Sequence, residues 1–188
     1  DALARGAALD AALVQLDDGK YVEASASLQA LVDAKTTMSP LAAHYLAEAK
    51  YKGGGDRDGA AAVLVDIGDV DGEPYEKLAL LKAAYLRADT LNLEELEAML
   101  GGLTVDEGAL GALSRELMAA KMYALGDVAG ARTAFNRLKF EPAAPNGVRD
   151  RAEIALAAMP AAPEAETTTT PETPAETAAP VETEETSP

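Results

Sequence analysis

A turn residue followed at +5, +9 and +12 by residues that recur in the same order appears four times in this chain, and nothing else in it constrains the fold as strongly. The clearest copy is GDVAGARTAFNRL, with Gly126, Ala131, Phe135 and Leu138. Gly19, Ala24, Leu28 and Leu31 match it, as do Gly55, Ala60, Leu64 and Ile67. A weaker copy puts Leu91 in the glycine's place, followed by Leu96, Leu100 and Leu103. The anchors at 19, 55, 91 and 126 are separated by 36, 36 and 35 residues, a period in the range of helical-hairpin repeats.

Each position in the copy has a physical reason. Glycine lets the chain leave one helix with positive φ, and an adjacent Asp, as at Asp56 and Asp127, can cap the next helix. A small residue at +5 lets two helices approach closely. The large residues at +9 and +12 share its face and fill the space between hairpins. A helical stretch precedes each anchor, and Pro40 and Pro74 suit first turns, where a missing N–H does no harm. Eight helices in four hairpins follow, and a ninth, over about 146–159, can close the last with Val148, Ala152, Ala155, Leu156 and Met159. The predicted fold is all-α: a right-handed α-solenoid of four hairpins over residues 1–159, ended by a capping helix.

Composition agrees with helix. Hydrophobic residues make up 48% of the chain and aromatics 4%, with alanine and leucine dominant. From Pro160 the sequence turns to Pro, Glu, Thr and Ala, too poor in apolar residues to offset the entropy of ordering. Residues 160–188 are predicted to be a disordered acidic tail, more simply a solvating terminus than a glycosylated or interacting one. That tail holds seven Glu and no Lys or Arg, so the net charge of -16 falls to -9 for the rest. Such a balance repels phosphate backbones and argues against nucleic acid as a partner. With no cysteine, disulfides, thiolate metal sites and cysteine nucleophiles are excluded. The chain carries no apolar run of eighteen residues and no signal-peptide pattern, yet it begins at Asp1, so further residues are expected upstream.

The Ala-x3-Phe core and the period resemble tetratricopeptide repeats, although the Trp and Leu-Gly of the usual first helix are missing. YLAEAKYKGGGDRDGAAAVLVDI, SRELMAAKMYALGDVAGARTAFNRL and EPAAPNGVRDRAEIALAAM are closer to the divergent tetratricopeptide-like domain of the YfgM family, ancillary subunits of the bacterial Sec translocon. The resemblance covers about residues 3–159. It implies a periplasmic domain, held at the inner membrane by one N-terminal transmembrane helix, that associates with SecYEG and periplasmic chaperones. The alternative is a free adaptor of the same repeat type, cytoplasmic or periplasmic, in another assembly.

Motifs that suggest chemistry fail on inspection. GGGDRDG lacks the Gly-Lys-Ser/Thr of a phosphate loop. DIGDVDGE imitates a calcium loop, but with Gly72 at the sixth position the first ligand falls on Ile67 and the twelfth on Leu78. His44, the only histidine, has Glu48 one turn on, a pair more simply read as helix surface than as a proton relay or half a metal site. No nucleophile–base pattern is present, so no catalytic residue, metal ligand or cofactor is assigned and the expectation is a non-enzyme.

Binding is the better prospect. By analogy with tetratricopeptide folds, first-helix positions at -13, -10, -6 and -3 from each anchor line a concave face. From these Tyr45, Lys52, Leu81, Tyr85, Glu116 and Tyr123 are the candidate partner contacts, on a surface that suits apolar or helical segments. The alternative is that many of these residues pack between helices. Near the C-terminus Arg132, Arg137, Lys139, Arg149 and Arg151 form a local basic group, more simply read as solvated surface than as a site for an acidic partner or lipid headgroups.

Overall fold

Gly19, Gly55 and Gly126, three of the four anchors, have φ of 74°, 68° and 89°, a region an L side chain enters only with strain. In the computed structural model, which describes residues 2–160, these glycines end one helix and turn the chain into the next. The acidic segment beyond Pro160, expected to be disordered, lies outside the described residues.

The described residues form α1 (Ala2–Asp17), α2 (Tyr21–Asp33), α3 (Ser39–Gly54), α4 (Arg57–Ile67), α5 (Pro74–Arg87), α6 (Leu93–Leu100), a 3-10 turn (Leu103–Val105), α7 (Ala109–Ala124), α8 (Val128–Phe140) and α9 (Asn146–Ala158). Among them there is no strand, so the fold is all-α. No helix among them is long and apolar enough to cross a membrane.

Side-chain capping marks where α4, α6 and α8 begin, whereas α2 starts after Lys20 without a side-chain cap. Asp56 accepts from the Gly59 amide at 2.8 Å and Asp127 from the Gly130 amide at 2.9 Å, satisfying amides that have no partner inside the helix. A Cβ at Gly59 or Gly130 would run into the capping carboxylate. At these two turns the pattern is Gly-Asp-x-x-Gly, with the second glycine making room for the cap. The glycine-less third turn uses another device: Asn92 and Glu95 form a reciprocal capping box, 2.9 and 2.8 Å.

That third unit departs from expectation in one respect. Its second helix does not carry Leu103. Gly101 takes φ of 59° and ends α6 after eight residues, and a 3-10 turn brings Leu103 back to the core. Leu96, Leu100 and Leu103 are nonetheless fully buried, so the spacing survives the broken helix.

Every residue at +5, +9 and +12 is buried except Ile67, which is half-buried. Successive helices pack against each other, and α1, α3, α5, α7 and α9 also touch in sequence. The apolar residues fall into four clusters. One joins α1, α2 and α3 through Leu9, Leu28 and Leu46; the next joins α3, α4 and α5 through Ala47, Leu64 and Ala83. A third joins α5, α6 and α7 through Leu81, Leu96 and Leu117; the last joins α7, α8 and α9 through Ala119, Phe135 and Val148. Helices α3, α5 and α7 thus belong to two cores each, which is why they carry alanine on two faces.

A groove along the odd-numbered helices

The start of α5 touches the first turns of α3, where the His44 ring nitrogen Nε2 lies 2.8 Å from the Tyr75 carbonyl. The end of α7 touches the end of α5, where the Lys121 ammonium donates to the Ala88 carbonyl at 2.7 Å. The three helices therefore run in one direction, and side by side they leave recesses between them.

Between α3 and α5 lies a recess of about 450 Å³. Ala47, Tyr51, Tyr85 and Leu86 form its walls and Leu64 of α4 contributes from beneath, so most of its lining is apolar. Between α5 and α7 lies a second, of about 570 Å³, bounded by Tyr85, Leu117, Ala120, Lys121 and Leu125. Tyr85 borders both and makes them one surface. Small residues create the space: Ala47, Ala88 and Ala120 stand where larger side chains would fill it. Burial of Tyr85 and the nearby Glu116 carboxylate push its hydroxyl above the usual tyrosine pKa, against the opposing effect of Arg151.

The residues expected at this face separate by register. Tyr85 is 46% exposed at the groove's centre. Tyr45 is half-buried and borders a smaller recess at the groove's head with Tyr75 and Leu78. Lys52 is exposed at the rim, its ammonium 2.6 Å from Glu48. Tyr123 is 42% exposed near the end of α7 and does not border either large recess. Leu81, only 3% exposed, belongs to the core between α5, α6 and α7 and offers a partner no surface. Glu116 is likewise turned inward, held by the Arg151 guanidinium through two bonds of 2.6 Å. Positions ten residues before the anchor face the neighbouring helix, and the groove begins one position further round. Tyr51, Lys82, Leu86 and Lys121 were missed for that reason. Their signal was present as the -4, -5 and -9 positions of the same repeat.

The features that imitate chemistry make the following contacts. His44 is buried beside the Tyr75 ring, with centroids 5.9 Å apart, and its Nδ1 has no hydrogen-bond partner. Burial holds its pKa below the ordinary histidine value; the bond to the Tyr75 carbonyl opposes this, and nearby Lys82 reinforces it. Glu48 turns to Lys52 instead. Asp69 accepts from the Asp71 amide at 3.0 Å in a local turn, and Glu73 and Glu76 cap α5. Among the described residues no group of three or more His, Cys, Asp or Glu is placed to hold a metal ion.

The C-terminal basic residues are largely engaged within the fold. Arg151 holds Glu116, Lys139 lies 3.0 Å from Glu153, Arg149 bonds Asn146, and Arg132 donates to the Met159 and Pro160 carbonyls. Comparison of the chain with protein-family models, with curated protein sequences and with solved structures returned no match.

Proposed function

We propose that the chain is a non-enzymatic docking scaffold, a right-handed α-solenoid of four tetratricopeptide-like hairpins closed by α9, and that partner proteins bind along α3, α5 and α7. The observation that carries this reading is the continuity of the two apolar recesses through Tyr85. An exposed aromatic flanked by recesses is the kind of anchor on which interface affinity concentrates. In this reading the scaffold is a YfgM-like ancillary subunit, attached to the inner membrane by an anchor upstream of Asp1 and linking SecYEG with periplasmic chaperones. The resemblance of the three sequence stretches supports that setting, and the groove supports the binding role independently of it.

The test is photocrosslinking from Tyr85 and Tyr51 in the full-length protein in its native membrane. Translocon subunits and periplasmic chaperones are the expected adducts. Recovery of unrelated proteins at the same positions would replace this setting with that of a free adaptor. Recovery of no protein from either position would remove the docking role.

A further inference from the structure

The two recesses are lined by four charged side chains, and these are unequally matched. Glu48 is paired with Lys52 at 2.6 Å and Asp89 with Arg57 at 3.1 Å, both partners standing outside the recesses. Lys82 borders the first recess and Lys121 the second. Among the described residues neither is engaged by a carboxylate. Two cationic side chains, one at each recess, are therefore left without a carboxylate partner on a chain of net charge -16.

We infer that the groove selects an acidic amphipathic helix of a partner protein, with two aliphatic anchors about seven residues apart and carboxylates beside them. This inference rests on the docking reading and adds the partner's chemistry. Packed helices stand about 8–10 Å apart, so recesses on either side of α5 are separated by about that distance. A helix rises about 1.5 Å per residue, which places side chains seven residues apart at nearly the same spacing and on one face. The apolar walls take the anchors. Lys82 and Lys121, one at each recess, then meet carboxylates flanking them, and a basic helix meets like charge at both points. The chain's own residues 161–188 match the charge but not the shape, since they supply one Val and no larger apolar side chain for two recesses.

The experiment measures fluorescence anisotropy of labelled helical peptides on the full chain. One peptide of about 16 residues carries two leucines at that spacing with glutamates beside them; a second has lysines for glutamates, a third serines for leucines. The acidic peptide is expected to bind about tenfold or more tighter than the lysine peptide, with the preference shrinking as salt rises. Lys82→Glu, at an exposed side chain, is expected to weaken it by about three- to tenfold. Lys121→Gln keeps a donor for the Ala88 carbonyl and is expected to weaken it less. Tyr85→Ala weakens both charged peptides, and the serine peptide does not bind. Equal binding of acidic and basic peptides, indifference to Lys82→Glu, or no binding to a folded chain overturns the inference. Binding that appears only after residues 161–188 are removed identifies the chain's own segment as occupant and overturns it too. Crosslinked partners at Tyr85 alongside any of these results would leave the scaffold standing and remove only the acidic specificity.

Discussion

Two aromatic residues five apart in α8 show what placement does to the same side chain. Phe135 is 5% exposed and packs in the core of α7, α8 and α9, whereas Phe140 is 73% exposed. Phe135→Ala is expected to cost about 3–5 kcal/mol in chemical denaturation, and Phe140→Ala less than about 0.5 kcal/mol; equal costs would contradict the packing. His44 makes a pH prediction. Its pKa is lowered in the fold by burial first, so folding favours the neutral ring, and the associated stability is full above the unfolded value of about 6.5. It is lost as pH falls through the folded value. The charges facing the ring favour this sign, because Lys82 opposes protonation and Glu48 is committed to Lys52. Urea midpoints are expected to fall between pH 8 and pH 5 more steeply for the native chain than for His44→Asn, and parallel slopes would rule out the histidine as cause.

Between elements, four of the polar contacts reach over slightly less than, or as much as, the spacing of the turns. His44 to Tyr75, Arg57 to Asp89, Lys121 to Ala88 and Arg151 to Glu116 join residues 31, 32, 33 and 35 apart. Each links a helix or turn to its counterpart one unit on. The Arg151–Glu116 pair is asymmetric: the arginine side chain is 54% exposed and the glutamate 11%. Losing the arginine strands a carboxylate largely out of water, whereas the arginine can hydrate alone. Arg151→Met is therefore expected to destabilise by about 1–3 kcal/mol, and Glu116→Gln, which still accepts a bond, by less than about 1 kcal/mol. The reverse order in thermal or urea unfolding would refute it. Capping makes a separate prediction: Asp127→Ala should cost about 1 kcal/mol, within about 0.5–2, and hydrogen exchange should show the loss first in the amides at the start of α8.

At the scale of the molecule, stability is distributed among four cores that share α3, α5 and α7. The buried residues of each core come from no more than three consecutive helices, so each core depends mainly on its neighbours. Ending the chain after Glu141 removes Val148, Ala152 and Met159 from the last core. Faster amide exchange is expected throughout α7 and α8, with protection in α1 to α4 nearly retained. Uniform loss along the chain would show a single cooperative core instead.

The sequence by itself determined the helices, their turns and the buried stripe, because these depend on short-range facts: a glycine's access to positive φ, a carboxylate within reach of an amide, and spacing on one helical face. Ala131, Phe135 and Leu138 were legible for that reason, and so was Leu103, although the helix carrying its stripe ended early. The groove was only partly legible. Tyr85 was found, but Leu81 and Glu116 were assigned to the surface, and Tyr51, Lys82 and Lys121 were not seen. Which side of α5 meets α6 and α7, and which meets water, depends on how the hairpins rotate against each other. That angle is set by residues about one repeat apart pressing together, so only the tertiary structure decides where the open face falls and which charges along it stay unmatched.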